Sequence, residues 1–527
     1  MKKSFLISIF TFISLFSFAQ ASGTASVFQL ASIGHDTYLI DTIGNTYNTW
    51  QCSANAASTA YLLKDGSILR PYKVSNPSMS GGATGGGIQI IDWNNNVSWE
   101  YLWSDQDHQQ HHECIPIEQP NGSYNALLIS WERKENAEVI QAGRQNTSGD
   151  MWPTEIVEIE PVGNNGGNIV WEWHAWDHLC QDVDQSKDNW YSDCSQHPEL
   201  FNINVGGIHG QNGGGDWIHA NGMDYSPQLD QIIFSSHFLH EIYIIDHSTT
   251  TAEAATHTDG NAGMGGDLLY RWGNPSNYGA GDNRSWDDTT DQVGSPILPG
   301  DRDLYTVHGA NFIDEGLPGQ GNLMCFDNEA TSDGGNGNSR VIELQSPLSG
   351  YNYTLPWNQE PLWTYSDPGN FYANHLSGSF RTKKGTTVAT LGTSTYWREV
   401  DNQGNVLYEY NHQSSGPGGG GNMAKSSIYE LDYPGLIGVV STVKNQNIQY
   451  ELDIYPNPAT DKINVLLPSS TTLPVKVEIY DIMGQKVNSH IATKKVFTIE
   501  TDQLKKGIYF VKAETSNYKM TRKLIVK

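Results

Sequence analysis

Asn168-Ile-Val-Trp-Glu-Trp173 is a short apolar strand that closes on an aromatic pair, and the chain repeats its pattern at intervals. The other copies are Asn96-Val-Ser-Trp-Glu-Tyr101, Asp267-Leu-Leu-Tyr-Arg-Trp272, Pro361-Leu-Trp-Thr-Tyr365 and Asn405-Val-Leu-Tyr-Glu-Tyr410. Ahead of them lie turns marked by Gly or Pro: Lys64-Asp65-Gly66, Pro120-Asn121-Gly122, Ser226-Pro227, Glu315-Gly316 and Lys384-Gly385. Apolar strands separated by such turns, repeated at long spacing, read as one sheet-forming unit used many times.

Two incomplete units flank the complete ones. Thr37-Tyr-Leu-Ile-Asp41 and Gly44-Asn-Thr-Tyr-Asn-Thr-Trp50 resemble the last two strands of a unit, and 426–432 (SSIYELD) with 436–440 resemble the missing first two. A four-stranded sheet cannot bury both faces alone, so the units must pack side by side. Joining the two halves closes a ring and shelters the sheet edges. The expected fold is all-β: a six-bladed β-propeller over 22–445, followed by a small immunoglobulin-like β-sandwich. A right-handed β-helix has shorter and more regular repeats than these.

Composition agrees with strands rather than helical bundles. The 527 residues include 53 Gly, 26 Tyr and 16 Trp, and only 17% are charged. The net charge of −27 argues against a nucleic-acid or anionic-membrane partner, because phosphates would be repelled.

Both ends read as addresses. Lys2 and Lys3, an apolar run from Phe5 to Phe18 and Ala19-Gln20-Ala21 predict a secretory signal peptide over 1–21. That run is too short to span a bilayer, and no later segment is apolar enough to be transmembrane. From Glu451 onward there are 12 Lys/Arg against 8 Asp/Glu, so the remainder carries 19 against 50. Alternating strands bounded by Pro and Gly over 446–527 predict the small sandwich. Among five cysteines, Cys180 and Cys194 are close enough in sequence to close a loop in an oxidising compartment, whereas Cys52, Cys114 and Cys325 read as buried thiols.

In a propeller the first strand of each blade lines the axis. Three first strands here begin with histidine: His111-His112-Glu113, His219-Ala-Asn221 and His308-Gly-Ala-Asn311. His375 lies slightly out of register with them. Converging imidazoles support either metal binding or nucleophilic and acid–base chemistry near neutral pH, and the spacing alone leaves both open. Asn221 shares the side of His219 and is placed to donate to an anionic oxygen.

Several longer stretches carry a resemblance. WHAWDHL (173–179), HPELFNIN (197–204), DWIHANGMDYSPQLDQI (216–232), GGDLLYRWGNP (265–275), HGANFIDEGLPGQGN (308–322) and FRTKKGTTVATLG (380–392) are similar to the bacterial arylsulfate sulfotransferases. That resemblance implies an exported, nucleotide-independent enzyme that moves a sulfuryl group from an aryl sulfate to a phenolic acceptor through a sulfohistidine. It needs no cofactor. Carried over by position, it implies His308 as the sulfated residue, with His219, Asn221 and His112 around the transferring group. His237 stands after Ser235-Ser236, where the family has Arg, and Gly309 stands where an acidic residue is usual. Each change removes a group worth ~2–4 kcal/mol in the transition state if nothing replaces it.

At the other end, YPNPATDKINV (455–465), VEIYDIMGQKV (477–487), LKKGIYFVKA (504–513) and KLIVK (523–527) resemble the C-terminal sorting domain of the type IX secretion system. This implies export through the periplasm to the surface or exterior, with the secretion machinery as partner. Two other function classes remain open at this level. One is a non-catalytic surface propeller that binds a glycan or protein ligand, for which Trp103, Trp176 and Trp217 are candidate stacking residues. The other is a metal-dependent lyase or hydrolase.

Overall fold

The computed structural model describes residues 27–41, 44–209, 214–280, 303–329, 338–354, 357, 359–412, 422–436, 452–467, 473–482, 484–514 and 519–527. The expected signal peptide at 1–21 lies outside them. The chain divides into two compact units, 1–431 and 432–527.

The first unit is nearly all β and holds six four-stranded antiparallel sheets. Sheet 1 is built from Ser426–Glu430, Val27–Ile33, Asp36–Asp41 and Thr46–Trp50; sheet 2 starts at Tyr61–Leu62 and ends at Val97–Leu102. Sheet 3 runs from His108–Glu118 to Gly166–His174, and sheet 4 from Ala220–Ser226 to Tyr270–Trp272. Sheet 5 runs from Val307–Phe312 to Trp363–Ser366, and sheet 6 from Gly378–Arg381 to Val406–Asn411. Each quoted turn falls between the first two strands of its sheet.

Sheet 1 corrects one expectation. The N-terminal end supplies three of its strands and the C-terminal end one, rather than two each. The overlooked strand is Val27–Ile33, all seven residues of which are buried. A strand covered on both faces shows no polar alternation, so its pattern does not announce it. Pro434–Leu436 forms a short 3-10 turn instead of a strand, and 437–440 lie outside the described residues.

Hydrogen bonds join successive sheets near their first strands. Ser427 Oγ donates to Ala60 O at 3.1 Å, Tyr61 Oη to Glu113 at 2.6 Å, Trp131 Nε1 to Asp216 at 3.0 Å and Asn221 Nδ2 to Val307 O at 2.7 Å. Asn311 Nδ2 donates to Ser379 O at 2.9 Å, and Thr390 Oγ1 lies 2.8 Å from Ser426 Oγ, which returns sheet 6 to sheet 1. Farther out, the repeated aromatic has a repeated task. The indoles of Trp50, Trp99, Trp173, Trp272 and Trp363 each donate to a backbone carbonyl of the following sheet: Asp92, Gly166, Gly266, Gln359 and Asn402, at 2.7–3.0 Å. Apolar clusters fill the spaces between neighbouring sheets, the largest around Trp173, Trp217, Phe234 and Tyr243.

The second unit has a three-stranded sheet (Asp453–Tyr455, Lys462–Leu466, Val496–Glu500) and a four-stranded one (Val475–Asp481, Lys486–Ala492, Gly507–Glu514, Lys519–Val526). One core, including Ile463, Val465, Val477, Ile479, Val511 and Leu524, is shared by both.

Candidate active site

The first strands of sheets 3, 4 and 5 each lose register with their neighbours at the histidine segment: between Gln110 and Cys114, Ala220 and Gly222, and His308 and Asn311. A bulge re-aims the side chains beside it. His112 and His219 sit in the left-handed backbone region, at φ +52 and +51, as do Leu376 and Ser377 at +62 and +88. Such conformations cost on the order of 1–3 kcal/mol each in a non-Gly residue and gather at functional sites.

The imidazoles form a continuous row. Ring centroids are 5.1 Å apart from His111 to His112, 4.7 Å from His112 to His219, 5.3 Å from His219 to His237 and 5.4 Å from His237 to His308. His111 stacks on Trp131 at 4.0 Å and its Nδ1 is 2.8 Å from that of His112. His375 is exposed and bonded to its neighbour Asn374. Burial, reinforced by the other imidazoles, holds His112 and His237 well below the usual histidine pKa.

His308 is oriented at both ring nitrogens. Its Nδ1 lies 2.7 Å from Asn328 Oδ1, and its Nε2 accepts the Leu376 amide at 3.2 Å. Asn328 Nδ2 donates to the carbonyls of Ala373 and Leu376, so its oxygen must face the histidine. The ring proton therefore sits on Nδ1 and the lone pair on Nε2. Burial pushes the His308 pKa down to about 3, against the Asn328 bond, which raises it.

Asn328 supplies the orientation that a residue at 309 was expected to supply. Gly309 has φ +61, and a Cβ there would lie 2.9 Å from Gly378 Cα and 3.0 Å from Ser377 O. No acidic side chain fits that backbone contact.

A small cleft beside His308 is lined by His112, Glu113, Asn221, Leu376, Ser377, Ala424 and Lys425. Lys425 is 3% exposed, with its Nζ 3.5 Å from Glu113 Oε2. Glu113 also accepts from Ser58 Oγ and Tyr61 Oη, at 3.0 and 2.6 Å. Lys425 is the cation that the reading of His237 as an Arg replacement left out. Asn221 has its oxygen on Ser235 Oγ at 2.7 Å and one amide proton on Val307, so a single proton remains for a ligand. His219 Nδ1 bonds to Asp216, whose other oxygen takes the Trp131 indole proton.

Within this geometry, residues 33–253 match the family model Arylsulfotransferase (ASST). That segment is similar to the arylsulfotransferases. Residues 453–527 match the secretion system C-terminal sorting domain, which directs type IX export to the cell surface or extracellular space. The arylsulfotransferase match contains His111, His112, His219, Asn221 and His237, while His308, Asn328 and Lys425 follow it in sequence. No curated protein matches the chain. Among solved structures it is similar to a protein of unknown function from Bacteroides caccae (10% identity, 77% of this chain and 99% of that one, TM-score 0.40). It is also similar to the periplasmic gluconolactonase of Pseudomonas aeruginosa (9% identity, 77% and 100%, TM-score 0.35). Among the described residues, no helix is long and apolar enough to cross a membrane.

Other side chains of the first unit have structural tasks. Trp103 and Trp217 are buried and donate to Ser130 and Val205, so neither is a rim stacking residue; Trp176 is partly buried with Lys134 over its ring at 5.4 Å. All five cysteines are thiols. Cys180 and Cys194 share a small buried cluster with Leu200 and are not bridged.

Proposed function

We propose that the first unit is a six-bladed β-propeller, spanning about 22–445, that transfers a sulfuryl group from an aryl sulfate to a phenolic acceptor through a sulfohistidine on His308, and that 446–527 is its immunoglobulin-like sorting sandwich. The observation that carries the reading is the Asn328–His308 bond, which leaves an unprotonated Nε2 at the cleft. In the first half-reaction the Leu376 amide releases Nε2, whose lone pair forms a bond to sulfur while the S–O(aryl) bond breaks and the aryl oxygen leaves as phenolate. In the second, the acceptor hydroxyl loses its proton to Nε2 of His219, its oxygen bonds to sulfur, the S–N bond breaks, and the proton passes from His219 to the departed phenolate or to water. No cofactor enters.

His219 suits the acid–base role, because Asp216 fixes its Nδ1 proton and turns Nε2 inward. Lys425 and the imidazole N–H groups meet the charge that builds on the sulfuryl oxygens, which a body of net negative charge would otherwise repel. Asn221 and His112 complete the donor set, and His237 lies between His219 and His308.

The test is purified protein with a chromogenic aryl sulfate, with and without a phenol. Acceptor-dependent release, and an intact-mass increase of one SO3 group that is absent from His308→Ala, are the expected results. No release by the wild type, or undiminished release by His308→Ala, overturns the reading.

A further inference from the structure

Away from the axis, two long insertions meet at one carboxylate. The first insertion follows sheet 3 and carries His178; the second precedes the last strand of sheet 4 and carries His257 and Asp267. Asp267 Oδ1 lies 2.8 Å from His178 Nδ1 and 2.7 Å from His257 Nδ1. Three potential ligand atoms, one from each residue, lie within 4.8 Å of one another.

The orientation of His178 makes this more than a surface cluster. The ring is wholly buried and stacked parallel to Trp173 at 5.8 Å. Its Nε2 is 2.8 Å from Ala254 O. A carbonyl only accepts, so Nε2 holds a proton, and Nδ1 meets an electron-pair-donating carboxylate across a positive charge, either a second proton or a metal ion. Two imidazole nitrogens converging on one carboxylate oxygen need something positive among them. Gly266 makes room for the arrangement, since a Cβ there would lie 2.6 Å from His178 Nε2.

We propose that His178, His257 and Asp267 bind a zinc ion that ties the two insertions together. Two imidazoles and a carboxylate suit zinc, which takes nitrogen at about 2.0–2.1 Å and carboxylate oxygen at about 2.0–2.2 Å in a tetrahedron. The observed N···O separations need open by only a few tenths of an ångström, and His257, the exposed member, has the freedom to move. The fourth position opens toward solvent on the His257 side and takes water. A second cluster, Glu132, Glu155 and His174, has comparable spacing but already holds cations. Lys134 Nζ is 2.7 Å from Glu132, and His108, 3.0 Å from Glu155, has its pKa raised to about 9 by that contact.

The site is independent of sulfuryl transfer, and the experiment reads metal directly. The full chain is stripped with a chelator and titrated with zinc chloride against a chromogenic competitor, alongside His257→Ala. The expected result is one equivalent of zinc on the wild type, binding at least tenfold weaker on His257→Ala, and a zinc-dependent rise in melting temperature confined to the wild type. Equal melting temperatures of the two stripped proteins show that the variant folds. No stoichiometric zinc on the wild type means that a proton is the occupant, and undiminished binding by His257→Ala places the metal elsewhere; either result overturns the proposal.

Discussion

Nδ1 of His308 lies 2.7 Å from Oδ1 of Asn328, and that contact sets the ring proton on Nδ1 and leaves Nε2 to accept the Leu376 amide. Asn328→Ala removes the acceptor and leaves only the Leu376 amide to hold the ring. The expected loss in kcat/KM is about 10²-fold, or ~2.7 kcal/mol. The effect should fall on kcat more than KM, which steady-state kinetics on a chromogenic aryl sulfate will show.

Lys425 gives a separable prediction. Lys425→Gln should lower kcat/KM by about 10²–10³-fold, the range for removing one donor to a developing oxyanion. It also leaves Glu113 buried without its cation, so the melting temperature should fall. The double variant Glu113→Gln/Lys425→Gln should regain the melting temperature and not the activity. Recovery of both would make the pair structural.

Gly309→Asp restores the acidic residue that the family resemblance implies, and it should fail to help. The backbone there is left-handed and the space for a Cβ is filled by Gly378 and Ser377. Destabilisation of more than about 1 kcal/mol is expected, with lower activity. A stable and more active variant would show that the two inner strands can separate.

The pH dependence of stability follows from opposite shifts. His308, lowered to about 3, and His112 and His237, also lowered, are neutral in the fold and protonate more readily when unfolded. Their contribution is full above the unfolded value of about 6.5 and is lost as pH falls toward the folded values, by up to ~1.4 kcal/mol per pH unit for each group. His247 is raised to about 9 by Asp230 and Glu158 despite its burial, and its contribution is lost as pH rises through 9. Because the His247 contribution is full below about pH 6.5 and falls away up to 9, thermal melts should be highest near pH 6.5, and His308→Gln should flatten the acid side.

The indole bonds between sheets predict a modest, local cost. Trp99→Phe removes the donor to Gly166 O while keeping most of the apolar surface. A loss of about 1 kcal/mol is expected in denaturant titrations, with the slope unchanged.

Sheet-forming units, their turns and the histidines on three first strands were legible because each depends on neighbours along the chain. Aromatic pairs recur at sheet ends, and Gly or Pro marks each first turn. Val27–Ile33 was not legible, since a strand buried on both faces has no alternation to read. Nor were Asn328 and Lys425. Asn328 follows the second strand of sheet 5, and Lys425 immediately precedes the last strand of the ring; neither stands in a repeated motif.

By itself, then, the sequence determined the repeating strand units, the type IX export address and the histidines at the first strands of three sheets. Only the tertiary structure decided which nitrogen of His308 holds the proton, which cation lines its cleft and why position 309 is glycine. The reason is range. Periodicity and turn chemistry act over a few residues, whereas those three answers come from contacts between segments distant in sequence that meet where neighbouring sheets pack.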